Sequence, residues 1–173
     1  MIKNVSGNIF ESDSNFILCN ANYQGLMNSG IALQVSDNYF HIEKELRKYI
    51  NHYNKADVDI FGSVQYVPTE IWAIGMVDTI KNNDVIDYDS NYQYIVNMFF
   101  QEDCGRGKQH TDLKAFKKAL LDVRDKAEKI KATVAIPYKL GCHKTSAQWE
   151  DIYTIIKKVF EKSNVDVEIW RYN

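Results

Sequence analysis

The 173-residue chain is 45% hydrophobic and 25% charged with a net charge of −2, which fits one folded domain with a buried core and gives no strong signal for nucleic acid or an anionic membrane. Three cysteines, Cys19, Cys104 and Cys142, are odd in number and far apart, which argues against a disulfide framework. No apolar run approaches the roughly 18 residues of a membrane span, and no basic-then-apolar leader opens the sequence, so a cytoplasmic protein without a membrane partner is expected.

Residues 2–5 and 16–21 read as strands. The second, Phe16-Ile17-Leu18-Cys19, is a continuous apolar run of the kind buried in parallel sheets. A long helix is predicted from about Gly30 to Tyr53. Its apolar positions Val35, Tyr39, Ile42, Leu46, Tyr49 and Tyr53 step by 4, 3, 4, 3, 4 and share one face. Phe61 to Val67 reads as a strand. Glu70 to Val77 is apolar enough for a strand or a short packed helix, and Asn82-Asn83-Asp84 reads as a turn. Tyr94 to Phe100 reads as a central strand. Thr111 or Asp112 caps the next helix, whose apolar residues run from Leu113 through Phe116, Leu120, Val123 and Ala127 to Ile130. Thr133 to Tyr138 is the following strand. A last helix is expected near Ser146, with Thr145 and Gln148 spaced as a capping box. Val165 to Tyr172 reads as the closing strand. Strands alternating with amphipathic helices imply a sheet covered on both faces.

Two glycine-bearing turns follow buried strands and lead into helices. The first is Gln24-Gly25-Leu26-Met27-Asn28-Ser29-Gly30-Ile31-Ala32, and the second is Lys139-Leu140-Gly141-Cys142-His143-Lys144-Thr145-Ser146. In open α/β sheets ligands bind at the carboxyl ends of the strands. Free backbone N–H groups at a helix start favour an anion, so two such turns suit two linked phosphates. The alternative, that the glycines only serve turn geometry, stays open at this level. The Walker pattern GxxxxGK[ST], the dinucleotide pattern GxGxxG and the zinc spacings CxxC and HExxH are absent, and no cofactor or metal is expected.

Several segments, in order, resemble a macrodomain, most closely the small phage-like and bacterial branch related to ADP-ribose-1''-phosphate phosphatases and glutamate-ADP-ribose hydrolases. They are Val5-Ser6-Gly7-Asn8-Ile9-Phe10, Ile17-Leu18-Cys19-Asn20-Ala21-Asn22, the first glycine turn, Asn97-Met98-Phe99-Phe100-Gln101, Ala135 to Cys142, and Gln148-Trp149. The resemblance implies one domain over 1–173, a three-layer α/β/α sandwich with a mixed, mostly parallel sheet, and an insertion at about 69–90. The insertion is left with two readings, a cover for the cleft or an oligomer contact.

The resemblance also implies an ADP-ribose cleft. Asn8 stands where the family usually has Asp and accepts from the adenine amino group, and Ile9 lines the adenine pocket. Asn22 lies near the distal ribose. Ser29, Gly30 and Ile31 form the first phosphate loop, and Gly141, Cys142, His143 and Lys144 form the second. Trp170 falls where an aromatic packs on adenine. Departures bear on catalysis. The strand ending Phe100-Gln101-Glu102 lacks the hydrolases' Lys, Thr145 stands at the position of their Asp, and Cys19 stands at the position of the phosphatases' His. His143 is left as the candidate acid or base. Three readings follow: a module that binds ADP-ribose or a close derivative, including one attached to protein; an enzyme that removes ADP-ribose from protein or nucleic acid, or removes a 1''-phosphate; and a module that sequesters a nucleotide-derived signal.

Overall fold

The computed structural model describes residues 1–76, 79, 91–103, 109–142, 145 and 147–172. Among them seven strands make one mixed sheet: β1 (Ile2–Ser6), β2 (Phe16–Asn22), β3 (Val64–Pro68), β4 (Tyr94–Asp103), β5 (Gln109–Thr111), β6 (Val134–Pro137) and β7 (Val167–Arg171). The order across the sheet is β1-β7-β6-β2-β4-β3, and β5 pairs with the far end of β4. The five strands from β1 to β4 in that order run parallel, while β3 and β5 are antiparallel to β4. The helices are α1 (Gly30–Asn38), α2 (His41–Ala56), α3 (Leu113–Ile130) and α4 (Trp149–Phe160).

Alternation along the strands sorts the core into two layers. Phe16, Leu18, Val96 and Met98 face α3 and α4, where Phe116, Leu120, Ile152 and Ile156 meet them. Ile17, Cys19, Ile95 and Phe99 face the other way and pack on Val35, Ile42, Leu46 and Tyr49 of α1 and α2. Every one of these side chains is at most 1% exposed, which is why the run Phe16 to Cys19 is apolar at each position rather than at alternate ones. The result is a three-layer α/β/α sandwich.

This arrangement creates a crevice. The chain leaving β2 passes through α1 and α2 on one face toward β3, while the chain leaving the adjacent β6 passes through α4 on the other face toward β7. Neighbouring parallel strands whose connections diverge leave an opening at their carboxyl ends.

Local readings need three corrections, and one open alternative is resolved. The helix expected over 30–53 is two helices, broken at Tyr39 and Phe40. Tyr39 has φ −137° and ψ 78°, and Asn38 turns its side-chain amide back onto the Gln34 carbonyl at 2.7 Å, which satisfies a helix-end acceptor. The apolar stepping survives the break because Tyr39 still packs toward the core, edge-on to Phe10. The strand expected from Phe61 begins at Val64, because Gly62 (φ +79°) and Ser63 turn first. Of the two readings of Glu70 to Val77, strand or short helix, the helix is the one found: Ile71–Met76 form a 3-10 helix. The last helix begins at Trp149, with no side-chain cap from Gln148. The expected turn at Asn82-Asn83-Asp84 lies outside the described residues.

The described residues between β3 and β4 sit at the opposite end of the sheet from the crevice. Pro68 pairs with Tyr94, so the chain departs and returns at the amino end of β4. Thr79 Oγ1 donates to Glu45 Oε2 of α2 at 2.8 Å, and Trp72 packs edge-on against Tyr92. The described residues of this segment therefore leave the cleft uncovered.

Candidate functional site

The first glycine turn is built on Asn22. Its side-chain oxygen accepts from the backbone N–H of Gln24 (3.1 Å) and Leu26 (3.2 Å), folding the chain back after β2. Ser29 then takes an extended N-cap conformation, and its hydroxyl caps nothing in α1. Gly30 follows with φ +59°, and a Cβ there would meet no atom within 4 Å. Its freedom serves the backbone angle and leaves open space beside the start of α1.

The second turn is packed more tightly. The backbone N–H of Tyr138 donates to the Trp170 carbonyl at 2.7 Å, and that of Cys142 to the Lys139 carbonyl at 2.9 Å. Gly141 has φ +79°, and a Cβ there would lie 2.7 Å from Cε2 of Phe100. The Gly141 carbonyl oxygen receives three donors: Thr111 Oγ1 (2.7 Å), Thr145 Oγ1 (2.9 Å) and Gln101 Nε2 (3.1 Å). This is also why the expected Thr145–Gln148 capping box does not form. The Thr145 hydroxyl donates to Gly141 and accepts from the backbone N–H of Ala147.

The two turns face each other across a cleft of about 310 Å³ at the carboxyl ends of β2, β4 and β6. Ser29, Gly30 and Ile31 form one wall, the stretch from Pro137 to Cys142 the other, and Asn20 and Gln101 complete the lining. Among the described lining residues there is no carboxylate, and Lys139 supplies a cation at the rim. Burial pushes the Cys142 thiol above its ordinary value, with Glu150 and Asp151 adding to the effect and Lys139 opposing it. Cys19 is fully buried behind the first turn, and burial alone pushes its thiol up to about 12.

The residues expected for adenine lie beside this space, on the β7 side. Asn8 caps a one-turn 3-10 helix, its side-chain oxygen accepting from the Phe10 N–H at 3.1 Å. A carbonyl oxygen has a second lone pair, so that bond leaves room for another donor. Ile9 is 6% exposed and belongs to the α1/α2 side of the core. Trp170 is half-buried, over Gly7, and its indole N–H donates to Glu168 Oε2 at 2.7 Å. Glu168 also accepts from Ser12 Oγ and pairs with Lys3. Burial by itself would raise the Glu168 carboxyl, but hydrogen bonds from Lys3, Trp170 and Ser12 more than offset it and hold the group below its ordinary value.

Of the residues singled out in the sequence, Ser29, Gly30, Ile31, Gly141 and Cys142 meet around the cleft; Asn8, Ile9, Asn22 and Trp170 do not line it. His143 and Lys144 lie outside the described residues. Asn20, Gln101, Thr111 and Lys139 were missed as site residues. Lys139 carried a signal, since a cation directly after a strand end stands beside the glycine turn. The other three are joined by hydrogen bonds between residues far apart in sequence, which no local pattern displays.

No family model matches the sequence, and no curated protein matches it. Solved structures do match the fold. The macrodomain of Mycobacterium tuberculosis DarG superposes with a TM-score of 0.72 at 23% identity, covering 98% of this chain and 97% of that one. The macrodomain of Thermus aquaticus DarG gives 0.70 at 18% identity, covering 100% and 98%. Thermosipho africanus DarTG, in complex with ADP-ribose, gives 0.72 at 17% identity, covering 98% of this chain and 41% of that one. The chain has the macrodomain fold.

Proposed function

We propose that the cleft binds ADP-ribose or a close derivative. The observation that carries this reading is the meeting of the two glycine turns, from adjacent strands β2 and β6, across a space whose described lining holds no carboxylate. Backbone N–H groups at the start of α1, uncapped by Ser29, offer donors and the positive end of the helix dipole to a diphosphate. Gly30 and Gly141 let that backbone approach, Lys139 adds charge, and Cys142 and Ile31 pack beside the ligand. Adenine lies toward β7, where Asn8 accepts from its amino group and Ile9 and Trp170 give it an apolar seat; stacking on Trp170 contributes on the order of 1 kcal/mol. Asn22 holds the turn that borders the distal ribose. A matching fold with ADP-ribose bound supports the reading.

Calorimetric titration tests it. Micromolar binding of ADP-ribose by the unaltered protein is expected. Gly30→Glu, which places a carboxylate in the open space beside the start of α1, is expected to abolish binding by like-charge repulsion, with circular dichroism confirming the fold. No binding by the unaltered protein refutes the proposal.

A second reading, hydrolytic release of ADP-ribose from a modified protein or nucleic acid, rests on His143 and on Lys144 against the phosphates. Under it, His143→Ala keeps ADP-ribose affinity and loses release. The phosphatase form is disfavoured by Cys19, which at 0% exposure offers no accessible group where those relatives carry His.

A further inference from the structure

At the carboxyl ends of β6 and β7 two cations converge on one aromatic ring. Val134 and Ile136 of β6 and Val167 of β7 pack into the α3/α4 layer. Side chains alternate along a strand, so Tyr138 and Arg171 continue on that face while Trp170 turns to the other. Tyr138 stands one step beyond the register pair of Pro137 and Trp170, beside Arg171. Trp149, the first residue of α4, meets the Tyr138 ring edge-on at 5.0 Å, and Tyr153 stacks behind Trp149. Over this anchored ring lie the Arg171 guanidinium carbon, 4.8 Å from its centre, and the Lys139 ammonium, at 5.6 Å. Tyr138 and Lys139 line the cleft. Lys139 holds its charge there from a left-handed backbone angle, φ +61°, which glycine would adopt without cost. Among the described residues neither cation forms an ion pair, and the described lining of the cleft holds no carboxylate to offset them. Two like charges gathered at one rim repel each other, and an anion between them relieves that repulsion.

We propose that Lys139 and Arg171 form a subsite for a phosphate monoester on the adenosine ribose of the ligand, so that the protein takes ADP-ribose 2'-phosphate in preference to ADP-ribose. The proposal rests on the ADP-ribose reading. Placement follows from the sheet order β7-β6-β2. Trp170 is on β7, and the two glycine turns leave β6 and β2. A ligand with its base toward β7 and its diphosphate between the turns carries the sugar that joins them across the ends of β7 and β6. Lys139 and Arg171 meet over Tyr138 at those same strand ends. The guanidinium offers paired planar donors to a phosphate, and the ammonium adds a point charge. Tyr138, held from behind by α4, acts as a positioning residue for both.

The test is calorimetric titration of the unaltered protein, Arg171→Gln and Lys139→Gln with ADP-ribose and ADP-ribose 2'-phosphate. The unaltered protein is expected to prefer the phosphorylated ligand about tenfold at low ionic strength, with the preference shrinking as salt is added. Arg171→Gln, at an exposed position, is expected to weaken the phosphorylated ligand several-fold more than ADP-ribose. Lys139→Gln should weaken both, because Lys139 also faces the diphosphate, and the phosphorylated ligand the more. Equal affinity of the unaltered protein for the two ligands overturns the subsite while leaving ADP-ribose binding intact. Equal loss of both ligands in Arg171→Gln also overturns it, since a merely structural role moves both alike. Binding of neither ligand refutes the proposed function itself, and the subsite falls with it.

Discussion

Replacing Gly141 by Ala should cost far more than replacing Gly30 by Ala, although both glycines have positive φ and both border the cleft. The backbone penalty is common to them: holding an L-residue in the left-handed region costs about 1–2 kcal/mol. The steric term is not. At Gly30 (φ +59°) the new methyl meets no atom within 4 Å, whereas at Gly141 (φ +79°) it would lie 2.7 Å from Cε2 and 3.3 Å from Cζ of Phe100. Phe100 has no room to yield, being 0% exposed and held edge-on by Phe116 at 5.0 Å. Forcing a methyl into such a core costs about 1–3 kcal/mol more. The totals are roughly 2–5 kcal/mol at Gly141 and about 1–2 kcal/mol at Gly30. At about 2–4 °C per kcal/mol for a domain of this size, thermal midpoints should fall by about 10 °C and about 5 °C. Scanning calorimetry on the two variants reads this directly. Equal shifts, or a smaller shift for Gly141→Ala, would refute the claim that the second turn is built against Phe100.

Two further outcomes follow from titratable groups. The depressed Glu168 carboxyl contributes stability that is present above its unfolded value near 4.5 and lost as pH falls through the lower folded value. Glu168→Gln should therefore melt below the unaltered protein at pH 7 and converge with it in strong acid, with Trp170 fluorescence shifted at neutral pH; a gap independent of pH would show that the carboxylate charge is not what stabilises. Cys19, buried with its thiol raised to about 12, should stay unmodified by an alkylating reagent at pH 8 until denaturant is added, as peptide mass spectrometry would show; labelling of Cys19 in the native protein would place it outside the core.

Where sequence reading succeeded, a single element carried the whole signal. Phe16 to Cys19 declares a strand buried on both faces without help from any partner. Thr111-Asp112 declares the start of α3, and of the two it is Asp112 whose side chain accepts from the backbone N–H of Lys114 and Ala115. Where reading failed, the deciding contact was distant. The break at Tyr39 is invisible to periodicity because α1 and α2 keep the same buried face across it. The three-residue β5 exists only as a partner of β4, which is too little for a pattern. Thr145 and Gln148 have capping-box spacing, yet the hydroxyl is drawn away by Gly141. The site divides in the same way. Its glycine turns show in the sequence as strand–turn–helix punctuation. The Asn20–Gln101–Thr111 chain does not, since three neutral polar residues far apart give no composition or spacing signal until the sheet brings them together.

The placement of the segment after β3 has a consequence for how such a domain can change over time. Ile71 and Trp72, 51% and 60% exposed, stand at one pole of the sheet, and Gln101 marks the other. Gln101 lies seven steps along β4 from Tyr94, a span of roughly 23 Å. Additions at the Trp72 pole lengthen the protein without touching the turns that shape the cleft. A tether attached to that pole, whether inherited or introduced to hold the protein on a surface, would leave the opposite pole free to meet a ligand from solution.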